Sequence, residues 1–227
     1  MLVKFKTEIP LLLLLFFVIN CTAQNEAFYG GARFGYGYSV PTQDAVYNQV
    51  FRTGYAPAFG FIFEQNKNEN LNICGGLNIV YRSYQSDNYF IPNVDPTSYK
   101  YRGWSSDIYL SLPIIFKSGD ANGPYIGIGA APEFFISQVA KISSARRKRV
   151  FDSTHSFRIF QLSLIGKIGY QYNIKRKHKV FFELEGNQGM LQLTNDFVSN
   201  LGKGVITRFN GSFLLGYMYQ LSNNGRK

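Results

Sequence analysis

From Phe28 onward the chain alternates apolar and polar residues at every second position, in eight successive segments. Period-two alternation marks a strand with two unlike faces, because successive side chains on an extended backbone point to opposite sides. The fourth segment shows it most clearly. Ile108, Leu110, Leu112, Ile114 and Phe116 make one stripe, and Asp107, Tyr109, Ser111 and Pro113 make the other. The eight segments are 28–38, 55–65, 71–83, 104–116, 125–136, 157–172, 180–193 and 205–221. Each has roughly ten residues or more, the length a tilted strand needs to cross a bilayer.

The connections carry a second pattern. Residues 40–54, 84–102 and 138–156 are long, whereas 66–70, 118–123 and 173–179 are short and contain turn formers; 194–204 is intermediate. Long and short alternate, beginning with long. An even number of antiparallel strands with short periplasmic turns and longer outer loops is the arrangement of a bacterial membrane barrel. The expected fold class is therefore all-β: an eight-stranded antiparallel transmembrane β-barrel.

The opposite solution is a soluble barrel that turns its apolar face inward around a ligand. The polar stripes argue against it. They are rich in Gly, Ser and Asn and carry both signs of charge: Arg33, Arg82, Lys167 and Arg208 against Glu64, Asp107, Glu133, Glu183 and Glu185. Small residues suit a narrow lumen. Charges inside one must pair, since isolated buried charge is very costly. Tyr38, Tyr55, Tyr81, Tyr170, Tyr172, Tyr217 and Tyr219 lie near the ends of the apolar stripes, as interfacial girdles do. The nine charged residues are expected to fill the lumen with an ion-pair network, with Glu183 and Glu185 close to Arg208 on the next strand. Eight strands leave a lumen that side chains can fill, so no open pore is expected.

The first residues read as an export signal. Lys4 and Lys6 precede an apolar run over 9–19, followed by Cys21, Thr22 and Ala23. The run is too short to span a bilayer as a helix and fits a signal-peptide core. Residues 1–23 are expected to be a signal peptide and 24–227 the barrel domain; the alternative is a lipoprotein acylated at Cys21. Cys74 is then the single cysteine of the mature chain and reads as a small buried side chain.

The chain carries a formal net charge of +10. Export makes nucleic acid a poor partner for that charge. Outer-membrane lipid and lipopolysaccharide are the expected partners, and Arg146, Arg147, Lys148 and Arg149, on an outer loop, are the candidate lipopolysaccharide contact through charge-assisted hydrogen bonds. The competing reading of such a run is a solvated loop. His155 and His178, far apart in the chain, give no metal-ligand spacing. Asp152, Ser153 and His155 are close in sequence but form no nucleophile–base–orienter set. No catalytic residue, cofactor or metal is assigned.

Four stretches resemble PorT-like outer-membrane β-barrels of the Bacteroidetes type: Leu71-Asn72-Ile73-Cys74-Gly75-Gly76-Leu77-Asn78-Ile79-Val80-Tyr81, Ile108-Tyr109-Leu110-Ser111-Leu112-Pro113-Ile114-Ile115-Phe116-Lys117, Gly123-Pro124-Tyr125-Ile126-Gly127-Ile128-Gly129 and Glu183-Leu184-Glu185-Gly186-Asn187-Gln188-Gly189-Met190. The resemblance implies an outer-membrane barrel, with some members serving type IX secretion and gliding. The expected function is a non-enzymatic outer-membrane barrel with a structural or interaction role. The alternatives are a component of a secretion or transport machinery contacting envelope proteins, and a barrel enzyme acting on lipid or peptide.

Overall fold

The computed structural model describes residues 27–43, 50–67, 71–87, 102–143, 148–152, 159–175, 177–191 and 206–222. Its regular elements are all strands: β1 Phe28–Gln43, β2 Val50–Arg52, β3 Gly54–Tyr55, β4 Ala58–Asn66, β5 Leu71–Asp87, β6 Arg102–Ser111, β7 Ile114–Gly119, β8 Gly123–Ser143, β9 Lys148–Asp152, β10 Phe160–Ile174, β11 His178–Gly189 and β12 Ile206–Ser222. The pairings run β10-β11-β12-β1-β4-β5, then through β6 and β7 to β8, and β8 pairs with β10 to close the ring. All of these pairings are antiparallel.

The twelve strands make eight staves. β3 and β4 share one stave, on β1. β6 and β7 share another, between β5 and β8. Their break falls at Leu112 and Pro113. Proline has no N–H to give to a ladder, while the Leu112 N–H still donates to the Pro132 carbonyl at 2.9 Å. β2 and β9 extend β5 and β8 at the end of the barrel opposite the short turns.

The staves outrun the stripes seen in sequence. β5 continues to Asp87 and β8 to Ser143, into stretches read as loop. The reason for the hidden part of β8 is a β-bulge. Ile108 faces Ser137 and Tyr109 faces Phe135, so Ile136 is an extra residue. Before it the inward positions are Ala131, Glu133 and Phe135; beyond it they are Gln138 and Ala140. A one-residue insertion reverses the alternation.

The burial pattern is inverted relative to a water-soluble barrel. Ile128 is 71% exposed and Ile126 and Tyr36 are each 64%, whereas Glu64, Asp107 and Glu133 are 0%. The apolar faces of the staves form the outer wall and the charged faces form the interior, as in a transmembrane barrel. Only two small apolar clusters lie inside among the described residues: Tyr29, Ile62, Phe181 and Met218, and Cys74, Ile115, Ala131 and Ile165.

Inward-facing glycines make room for long side chains. A Cβ at Gly169 would lie 2.7 Å from the Tyr125 hydroxyl, and one at Gly216 would lie 2.1 Å from the Phe181 ring. On the outer wall the opposite holds. Gly166 and Gly186 face each other across β10 and β11, and a Cβ at Gly166 would meet nothing within 4 Å. At the short-turn end, Gly119 has φ +153°, where a Cβ would press on Pro124 and Tyr125; that backbone is open essentially to glycine.

Candidate functional site

The lumen is the chemically dense region of the molecule, and its side chains fall into three groups along the barrel. Nearest the short turns, Glu64 on β4 is held by two lysines. Lys117 Nζ, from β7, lies 2.6 Å from Oε2, and Lys179 Nζ, from β11, bonds Oε1. Each lysine also covers an aromatic face: Lys117 sits 4.1 Å from the Tyr125 ring centre and Lys179 sits 4.3 Å from that of Tyr29, within cation–π range. Lys117 donates further to Gln171 Oε1 at 2.6 Å, and Gln171 donates to the Asp120 carbonyl on the β7–β8 turn.

Midway, Glu183 accepts from Lys167 at 2.7 Å and from the Tyr125 hydroxyl at 2.6 Å. Arg33 lies 3.2 Å from Glu185 and 3.5 Å from Glu183, and its Nε donates to Asn78. Toward the other end, Arg82 grips Glu133 with two parallel bonds of 2.8 and 2.6 Å, and Ser163 adds a third donor. A fork of this kind is the strong form of an ion pair. Beside it Arg208 meets Asp107 at 2.5 Å, and Asp107 also accepts from Gln138 at 2.8 Å. Tyr109 binds this pair of arginines together: it accepts from Arg208, and Arg82 stacks 4.7 Å over its ring.

Among the described residues, six cationic side chains (Arg33, Arg82, Lys117, Lys167, Lys179, Arg208) face five carboxylates (Glu64, Asp107, Glu133, Glu183, Glu185) inside the barrel. A polar cavity of about 30 Å³ lies between the middle and outer groups, lined by Arg33, Asn78, Arg82, Glu133, Asn187 and Asn210 among others. That is room on the scale of one water molecule. Ion pairs and hydrogen bonds pack the lumen around this cavity, while Nε of Arg82, Nε of Arg208 and Oε2 of Glu183 have no hydrogen-bond partner among the described residues.

All nine charged residues picked from the polar stripes turn inward. Their partners differ from expectation in one respect. Arg208 does not meet Glu183 or Glu185; it meets Asp107 on the far side of the lumen. The register explains this. Glu183 lies opposite Leu214 and Glu185 opposite Ser212, whereas Arg208 lies beyond the Gln188–Phe209 pair, farther toward the other end. Adjacent strands did not bring like heights together. Lys117 and Lys179, which complete the Glu64 group, fell in segments read as turn or strand end. Lys117 keeps the parity of Tyr109, Ser111 and Pro113, so extending that stripe past Phe116 would have found it. Gln138 was hidden by the bulge.

Of the basic run, Arg146 and Arg147 lie outside the described residues. Lys148 and Arg149 are on β9, with only their backbone described. Ser153 and His155 also lie outside, and Asp152 is described only as the last residue of β9. His178 is on the outer wall, its ring packed on Tyr217 and Tyr219, with Nδ1 2.5 Å from the Tyr217 hydroxyl. No group of three or more metal-ligating side chains occurs among the described residues.

No family model matches the chain, and no curated protein does. Solved structures resemble it at low identity. Ail, the attachment invasion locus protein of Yersinia pestis, in complex with the heparin analogue sucrose octasulfate, is 16% identical over 86% of this chain and 99% of that one, with a TM-score of 0.40. The outer membrane protein OprG from Pseudomonas aeruginosa is 12% identical over 87% and 97%, with a TM-score of 0.48. Neisserial surface protein A is 11% identical over 86% and 97%, with a TM-score of 0.42. The fold assignment rests on this chain's own closed pairing and inverted burial.

Proposed function

We propose that this chain is a non-enzymatic barrel of a bacterial outer membrane, closed to diffusion by its ion-paired lumen, that holds its outer connections in place as an interaction surface. The observation that carries the reading is the inversion of the barrel: an apolar outer wall around a charged, paired interior. In water such a wall would be a large exposed apolar patch, which soluble monomers avoid; in a bilayer it is solvated by lipid.

The short turns then face the periplasm and the long connections face outward, with residues 1–23 serving as the export signal. Arg146, Arg147, Lys148 and Arg149 would meet lipopolysaccharide phosphates at the outer surface. The reading as a secretion-machinery component stands on the PorT-like motifs alone and predicts co-purification with a reproducible set of envelope proteins.

The test is fractionation, a heat-modifiability gel and planar-bilayer recording on the full chain. The protein is expected in the outer-membrane fraction, with different migration before and after boiling and no steady open-channel current. Recovery in the soluble periplasm without a boiling shift would overturn the membrane reading. A large ohmic conductance would overturn the plugged lumen.

A further inference from the structure

The outer wall at the short-turn end is not uniform around the ring. On β10 and β12 its exposed side chains include Tyr170, Tyr172, Tyr217 and Tyr219, and between them on β11 lies the half-buried His178. On the other staves at that end the outward residues include Phe28, Phe61, Phe63, Leu71, Ile73, Phe116, Ser118, Pro124 and Ile126, and no exposed tyrosine occurs there among the described residues. The register sorts the first sector into rows. Tyr172 faces Val180, which faces Tyr217; one step nearer the rim, Ile174 faces His178, which faces Tyr219. Above that second row comes the β10–β11 turn, where Lys175 and Lys177 are exposed and Arg176 stands between them in sequence. Lys175 holds φ +50°.

We propose that this sector binds the phosphate of an anionic phospholipid headgroup from the adjoining leaflet, resting on the membrane reading above. The chemistry is that of an interfacial phosphate site: amphipathic rings set at headgroup level, with exposed lysines on the turn that follows the second row, where each basic residue near an anionic surface adds attraction. The acyl chains below the phosphate would lie on Val180, Phe182, Ile168 and Leu215, all exposed. The charge balance favours an anion. Asp120 is the exposed carboxylate described at this end, on the neighbouring β7–β8 turn, and that turn is tied to the tyrosine sector through Asn173, which bonds Asn122 and the Ala121 carbonyl. The sector opposite is lined mainly by Phe, Leu and Ile and shows no exposed tyrosine on its outer wall among the described residues, so the paired rows of amphipathic rings favour one position around the ring.

The experiment is native mass spectrometry of the full barrel released from nanodiscs of phosphatidylglycerol and phosphatidylcholine in equal parts, with folding checked by the boiling shift. The wild-type barrel is expected to retain phosphatidylglycerol in preference. The triple variant Lys175→Gln, Arg176→Gln, Lys177→Gln is expected to lose about tenfold or more of that preference. Tyr217→Phe with Tyr219→Phe should lower it while keeping the charge. Lys141→Gln, an exposed lysine on β8 at the opposite end, should leave it intact. A triple variant that keeps the wild-type preference, or a loss of equal size in Lys141→Gln, would overturn the site. A shifted, folded barrel with no preference for phosphatidylglycerol would sink the site alone, whereas a chain with no boiling shift would sink the membrane reading with it.

Discussion

Arg208 and Asp107 stand 101 positions apart in the chain and meet at 2.5 Å inside the lumen. Neither lies on a stave next to the other: Arg208 is on β12, between β11 and β1, and Asp107 is on β6, between β5 and β8. The contact crosses the barrel and exists only once the ring is closed. It therefore ties closure of the sheet to the electrostatics of the interior, and removal of either partner should be felt as a loss of barrel stability.

Among the described residues, Arg208→Met leaves Asp107 charged, buried and hydrogen-bonded by Gln138 alone. Breaking one side of a buried pair costs about 3–5 kcal/mol, whereas replacing both by apolar groups is often much cheaper. Urea unfolding in lipid bilayers should thus show a large loss for Arg208→Met, and for the double variant Arg208→Met, Asp107→Leu a loss well below the sum of the two single losses. Additive losses would mean that the pair is not coupled.

Glu64 holds two lysines at once. Glu64→Gln keeps the shape but leaves Lys117 and Lys179 without their shared carboxylate, in a lumen that already has more cations than carboxylates among its described residues. The expected loss is about 3 kcal/mol or more, by the same buried-charge penalty. Adding Lys179→Met should restore part of it. The readout is the unfolding midpoint of each variant, and no recovery in the double variant would contradict the shared-carboxylate geometry.

Two glycines on β10 should respond with opposite signs. At Gly169 a Cβ would meet the Tyr125 hydroxyl at 2.7 Å, so Gly169→Ala should destabilise by about 1–3 kcal/mol through overpacking. At Gly166 a Cβ meets nothing within 4 Å, so Gly166→Ala should be stabilising by about 0.5–1 kcal/mol, the usual gain when a strand glycine is replaced. Thermal or urea unfolding of the two variants side by side checks the assigned faces. The same sign at both positions would mean that the inward and outward faces of β10 are wrongly placed.

Cys74 is 2% exposed, with its thiol turned toward Glu64 inside the barrel. A polar maleimide should leave it unlabelled in the folded, unboiled protein and label it fully after denaturation. Rapid labelling of the folded form would require an interior open to solute, against the packed lumen.

Much of the fold was written locally. The stripe from Ile108 to Phe116, the alternating long and short connections and the mixed charges of the polar faces are properties of short stretches, and each is set by neighbours in the chain. Alternation places Glu64 and Arg33 on one kind of face whatever the rest of the molecule does, because a side chain's side of a strand depends only on parity. Even so, parity failed past Ile136, because that extra residue is defined by the pairing with β6 and leaves no mark in composition.

Sequence alone thus determined that the chain forms two-faced strands in a number and rhythm suited to a barrel, and which charged residues share the polar face. Tertiary structure decided who meets whom: Arg208 with Asp107 rather than with Glu183 or Glu185, Glu64 with Lys117 and Lys179, and the tyrosines of β10 and β12 gathered on either side of β11 near the turn at Lys175. Those relationships depend on strand register and on the closing of β8 against β10, which fix height and opposition across the ring. No local pattern encodes either, because both are set by the sum of pairings around the whole sheet.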